Sequence, residues 1–152
     1  MTEIVKDILI SNGDIDRYFE KSQINLWQAK RVSDRGTLFR LVEDNKILSN
    51  GQPRSADISI SVKVGVKWVS CRLTPRGIST FDKPNTFKGS SWEYYKIPKG
   101  TVLPVGLAIV KDRFNERVGA THYTIAPAYD MPLSQFKNLL NQLAVKVIKE
   151  AI

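Results

Sequence analysis

The chain of 152 residues has one cysteine, one histidine and two methionines. With Cys71 alone, no disulfide can close within the chain, and Cys71 with His122 offers too few soft ligands for a zinc site. A Ser-His-Asp hydrolase would have to rest on His122. No Gly-x-Ser-x-Gly elbow, paired-cysteine motif or His-Glu-x-x-His accompanies that residue. A glycine-rich strand-to-helix turn is missing too, which argues against a Rossmann or P-loop nucleotide site. No apolar run approaches the roughly 18 residues that a membrane helix needs. The opening Met1-Thr2-Glu3-Ile4-Val5-Lys6-Asp7 is broken by acids and does not read as a Sec leader. Synthesis in the cytoplasm is therefore expected, and any export would use a route without a cleaved leader.

Hydrophobic residues make up 42% and charged residues 25%, the mixture of a folded chain. The length suits one domain over 1–152, large enough to bury a core without staples. The net charge is +8. Such an excess suits an anionic partner: nucleic acid, a phosphate-bearing cofactor or an acidic protein. The basic residues are scattered, so solubility alone explains them equally well.

Ser11-Asn12-Gly13-Asp14 reads as a helix start, with Ile15, Tyr18 and Phe19 following at helical spacing. Ile24–Val32 reads as a strand. Gly36 ends a polar turn, and Thr37–Val42 is a run of strand-favouring residues. Asn50-Gly51-Gln52-Pro53 is a loop. Ile58, Ile60, Val62, Val64 and Val66 then alternate with Asp57, Ser59, Ser61, Lys63 and Gly65, the clearest period of two in the chain, with one face buried and one wet. Trp68–Leu73 continues the sheet, Thr74-Pro75-Arg76-Gly77 turns, and Ile78–Asp82 follows as a strand. Lys83–Gly100 reads as a loop carrying Trp92, Tyr94 and Tyr95. Leu107–Val110 and Val118–Ala126 form a hairpin through Asn115-Glu116. After Pro132, which the first turn tolerates, Leu133, Phe136, Leu139, Leu140, Leu143, Val147 and Ile148 mark a terminal amphipathic helix. Its apolar stripe is read as core. Helix, short strands and helix in that order give an α+β domain.

Three polar residues interrupt apolar strand patterns: Arg40, Ser79 and His122. A guanidinium is rarely buried unpaired, and its planar fork grips a diphosphate. A Ser-Thr pair can bond backbone or ribose, and histidine exchanges a proton near neutral pH. Each also has an ordinary explanation: an ion pair, a turn cap, a satisfied core histidine.

Together, Thr37–Val42, Gly77-Ile78-Ser79-Thr80-Phe81-Asp82, Ile97-Pro98-Lys99-Gly100-Thr101 and Asn115–Pro127 resemble the Tse-type ADP-ribosyltransferase-like effector toxins of type VI secretion. Ala120-Thr121-His122-Tyr123-Thr124-Ile125 is the most specific stretch. The resemblance runs from about Gly36 to Pro127, leaving 1–34 as an N-terminal extension packed on the domain. It implies a split β-sandwich with flanking helices, holding NAD in its cleft. In that superfamily a first-strand Arg or His contacts the dinucleotide, a Ser-Thr motif shapes the pocket, and an aromatic packs on the nicotinamide. By position these are Arg40, then Ser79 with Thr80, then one of Phe81, Trp92, Tyr94 and Tyr95; His122 joins Arg40 and Ser79 as a catalytic candidate. The implied activity is ADP-ribosyl transfer or NAD cleavage by an antibacterial toxin, delivered into the cytoplasm of target cells and restrained by a small acidic immunity protein.

One departure stands out. Breaking the nicotinamide–ribose bond builds positive charge on the ribose, and superfamily enzymes commonly answer it with a late-strand Glu. The stretch Thr121–Pro127 has no acid. Asp82, Glu93 and Asp130 are the nearest candidates. A non-catalytic basic nucleic-acid-binding module is the competing reading, with Trp92, Tyr94 and Tyr95 as base-stacking residues. An RNA-modifying or RNA-cleaving toxin on the same scaffold is a further, minor one.

Overall fold

The computed structural model describes residues 4–33, 38–54, 56–70, 76–87 and 89–149. Helix α1 (Ile4–Ser11) buries Val5 and Leu9. Its end is set by Gly13 at φ 76°. The Asp14 N–H bonds Leu9 O at 2.7 Å and the Gly13 N–H bonds Ile10 O at 3.1 Å, closing the carbonyl end of the helix in a Schellman arrangement. Ser11-Asn12-Gly13-Asp14 is thus a stop signal, contrary to the expected start. A single 3-10 turn (Ile15–Arg17) leads to the short strand β1 (Tyr18–Phe19), not to a helix.

Seven strands then build one antiparallel sheet. Its strands are β2 (Leu26–Arg31), β7 (Ile78–Phe81), β8 (Trp92–Ile97), β9 (Leu107–Asn115), β10 (Ala120–Pro127) and β12 (Ile148–Lys149), together with β1. Their spatial order is β1-β9-β10-β7-β2-β8-β12. A three-stranded sheet holds β5 (Ser59–Lys63), β6 (Val66–Ser70) and β11 (Met131–Pro132), and β3 (Lys46–Ile47) pairs with β4 (Pro53–Arg54). Helix α2 (Leu133–Ala144) completes an α+β architecture. The main core draws Leu26, Ile78, Ile97, Ile109 and Ile125 from the large sheet, Val69 and Met131 from the small one, and Phe136, Leu140 and Leu143 from α2. Helix α1 lies elsewhere: Val5 and Leu9 pack on Val110 in a second cluster, and the Val5 N–H bonds Ala128 O. No described helix is long and apolar enough to cross a membrane.

Several expected elements change. Residues 38–42 form no strand; Phe39 sits at φ 61° and is buried. The run is strand-favouring, but the Phe39 and Val42 N–H groups find side-chain partners in place of a neighbouring strand. The expected loop Lys83–Gly100 contains β8, because Leu26–Arg31 pairs with Trp92–Ile97 along its whole length. Helix α2 stops at Ala144, where the Lys146 and Val147 N–H groups tighten into bonds with Leu143 O and Ala144 O. Ile148 joins the sheet edge through Lys96. The N-terminal segment is more than an appendage, since β2 lies between β7 and β8. Gly36, Thr37 and the stretch 71–75, with Cys71, Leu73 and the Thr74-Pro75 part of the expected turn, lie outside the described residues.

The alternating run Ile58–Val66 is two strands. Lys63 pairs with Val66 across a two-residue turn, Val64 at φ 49° and Gly65 at φ 74°. Both central residues of such a turn must adopt positive φ, which a β-branched residue resists. Val64 is fully exposed (102%), so its side chain gains nothing from packing. Replacing it by Asn should stabilise the protein by about 1 kcal/mol and raise Tm by about 3 °C. A melting curve that stays put or falls would show that the turn has a different geometry.

The β12 edge carries an ion pair between Lys149 and Glu93. The hydrogen bond from Lys149 holds the Glu93 carboxyl below its ordinary 4.5, partial burial opposes this, and the charges of Lys149 and Lys30 assist. The same bond raises Lys149 above 10.5. A lowered carboxylate pKa contributes stability that is complete above 4.5 and lost as pH falls through the folded value. The lysine's part is complete below 10.5 and lost as pH rises through its raised value. Amide protection of β12 should therefore fall in acid before that of β9 and β10, as hydrogen exchange across pH would reveal.

Candidate functional site

β2 and β7 are neighbours that touch in register at one pair, Trp27 with Phe81. Beyond it β2 follows β8 to Arg31, while β7 follows β10 back to Ile78. A cavity of 220 Å³ opens in the wedge between them. Gln28 and Ala29 form its β2 side, and Ile78, Ser79 and Phe81 its β7 side. Arg40, Asp57, Phe87 and Trp92 close it. A larger cavity of 490 Å³ shares Gln28, Ala29, Arg40 and Trp92, and adds the cations Lys30, Arg31 and Lys46. Arg40 also borders a cavity of 170 Å³ toward Lys137 and Asn141 of α2.

The irregular segment 38–42 is tied down on both sides of Arg40. The Phe39 N–H donates to Gln28 Oε1 at 3.3 Å, and the Val42 N–H donates to Asp57 Oδ2 at 2.5 Å. The Asp57 N–H returns a bond to Val42 O at 2.7 Å. Burial of Phe39 adds an anchor, and Arg40 between these ties stays exposed.

An aromatic row forms the opposite wall. The Arg31 guanidinium lies 4.5 Å from the Trp92 ring centroid, and Trp92 stacks on Phe87 at 4.7 Å and 25°. Phe87 meets Phe81 edge-on at 6.2 Å, and Phe81 meets His122 edge-on at 5.2 Å. Such ring pairs contribute roughly 0.5–1.5 kcal/mol each beyond area burial. The Tyr94 hydroxyl pins Phe87 from behind, accepting its N–H at 3.0 Å and donating to its carbonyl at 3.1 Å.

Of the residues singled out in the sequence, Arg40, Ser79, Phe81 and Trp92 border the wedge cavity. Thr80 does not: it is buried, and its hydroxyl donates to Tyr123 O at 3.0 Å. Tyr94 is buried behind Phe87. Tyr95 lines neither cavity and pairs with Gln28 and Lys149. His122 meets Phe81 but does not line the wedge, and it engages Asp112, its Nδ1 lying 2.6 Å from Oδ2. The Thr124 hydroxyl donates to that same oxygen at 2.6 Å, and Arg17 approaches the other at 3.4 Å. Among the acids, Asp82 accepts the Thr121 N–H at 2.8 Å and Glu93 holds Lys149. Neither they nor Asp130 line the wedge. Burial, and after it the charge of Asp82, raises the Tyr123 hydroxyl above 10.0. Sequence reasoning missed Gln28, Asp57 and Phe87 as site residues. Asp57 looked like the wet face of an alternating strand, and Phe87 sat in an apparent loop.

A family model, the Tse2 ADP-ribosyltransferase toxin, matches residues 7–152. The chain belongs to this Tse2 toxin family. The match begins well ahead of Gly36, so β1, β2 and most of α1 fall within the Tse2 region. Toxin Tse2 of Pseudomonas aeruginosa is 40% identical over 55 residues, which is 36% of this chain and 34% of that relative. The aligned part thus spans a minor share of the relative's length. The description of that family is of ADP-ribosyltransferase toxins.

Proposed function

We propose that the chain is one toxin domain over 1–152, a split β-sandwich that binds NAD in the wedge between β2 and β7 and breaks its nicotinamide–ribose bond. The observation that carries this reading is the convergence of Arg40, Ser79, Phe81 and Trp92, distant in sequence, on one cavity. The lining fits the ligand's chemistry. Cations at Lys30, Arg31, Arg40 and Lys46 suit a diphosphate, and flat aromatic walls suit heterocycles. Ser79, exposed within the cleft, is placed to hydrogen-bond a ribose or carboxamide. His122, anchored by Asp112, backs Phe81 and fixes the ring's tilt. ADP-ribose released in this way passes either to water or to an acceptor hydroxyl or amine in the target cell. Delivery between bacteria and restraint by an acidic immunity protein seated over the basic cleft belong to the same reading, since opposite charge speeds association.

Calorimetry of NAD with the purified chain tests it. Ser79→Trp fills the wedge from an exposed position, so it should abolish NAD binding and toxicity while leaving the melting curve close to that of the parent. Absence of NAD binding by the wild type, or unchanged binding by Ser79→Trp, would overturn the assignment.

A further inference from the structure

The two adjoining cavities differ in electrical character. The larger is lined by Lys30, Arg31, Arg40 and Lys46 and by no described acid. The wedge has Arg40 at its border and one carboxylate, Asp57. Among the described residues Asp57 is the single acid lining either cavity. It is half-buried. It is also held in place twice, its backbone N–H by Val42 O and its Oδ2 by the Val42 N–H.

We propose that Asp57 is the catalytic carboxylate of this cleft, an inference that rests on the NAD reading. NAD is itself polarised, negative at its diphosphate and positive at its nicotinamide. The dinucleotide then lies with the diphosphate against the four cations and the nicotinamide ribose in the wedge, between Asp57 and the Phe81, Phe87 and Trp92 rings. This orientation places a negative side chain where positive charge grows. As the bond from nicotinamide nitrogen to the ribose anomeric carbon breaks, its electron pair stays on nitrogen, and the cationic ring becomes neutral nicotinamide. The positive charge passes to the ribose. Asp57 accepts a hydrogen bond from a ribose hydroxyl and stabilises that charge through it. The oxygen of water, or an acceptor nucleophile, forms the new bond at the anomeric carbon, and its proton is released to solvent. The lack of an acid on Thr121–Pro127 is thereby explained: the carboxylate comes from the residues just ahead of β5.

Asp57→Asn is the test, because the amide oxygen can still accept the Val42 N–H and keep the segment in place. NAD binding by calorimetry and NAD turnover are measured on the purified wild type and variant. The expected result is a kcat lower by about 100-fold or more, with NAD affinity within a few-fold of wild type. Asp57→Glu should recover part of the loss. If Asp57→Asn raises KM at unchanged kcat, the carboxylate only shapes the binding site, and the proposal fails while the NAD reading survives. Full activity in Asp57→Asn, alongside an inactive Ser79→Trp, has the same meaning. A wild type that binds and consumes no NAD removes both.

Discussion

Gly77→Ala should yield little or no folded protein. The residue is buried at the head of β7, and an added Cβ would fall 2.9 Å from Ile125 C, 3.1 Å from Ala126 Cα and closer still to Ile125 O. All three are backbone atoms of β10, which is paired on both sides, with β7 and β9. No side-chain rotation relieves the contact. β10 would have to move away from β7, breaking the Ile78–Ile125 pairing and opening the core around those residues. Overpacking in a fixed core costs about 1–3 kcal/mol, and a clash with unyielding backbone belongs at or above that range. Chemical denaturation of whatever soluble protein remains would measure the loss. Gly89→Ala is the useful comparison: its φ of 95° is strained for alanine, but the added carbon meets nothing within 4 Å among the described residues. It should cost only about 1 kcal/mol. Equal effects from both substitutions would mean that β7 and β10 approach less closely than the structure has them.

Gly77 also illustrates what the sequence conceals. In Thr74-Pro75-Arg76-Gly77 it reads as a turn glycine, whereas its place against Ile125 requires space, not turn geometry. The β9–β10 hairpin and most of α2 were legible because their signals are local: a turn at Asn115-Glu116 between apolar runs, and an apolar stripe repeating from Leu133 to Leu143. β8 was hidden because its polar and aromatic residues resemble a loop until β2 pairs with them. Residues 38–42 misled in the opposite sense, their strand propensity overridden by the side chains of Gln28 and Asp57. In the site, Arg40 and Ser79 stood out as polar breaks in apolar patterns. Asp57 made no such break. Its role follows from a fold that sets it beside them, and no spacing rule encodes that.

Arg40→Ala should weaken NAD binding by about 10- to 100-fold. Arg40 borders both cavities, at the junction where a bound diphosphate would pass from one to the other. A charge-assisted hydrogen bond contributes roughly 1.5–3 kcal/mol, and each 1.4 kcal/mol is tenfold in affinity. The side chain is exposed, and its segment is held by the Phe39, Val42 and Asp57 ties, so truncation leaves no core cavity. Melting temperature should therefore change by only a few degrees. Arg40→Lys should restore part of the affinity, because an ammonium keeps the charge but loses the planar fork that meets two phosphate oxygens at once. The salt dependence of binding should be shallower for Arg40→Ala than for either parent or Lys variant, since one fewer cation competes with dissolved ions for the diphosphate. Unchanged affinity in Arg40→Ala would move the diphosphate away from this junction and leave Lys30, Arg31 and Lys46 to hold it.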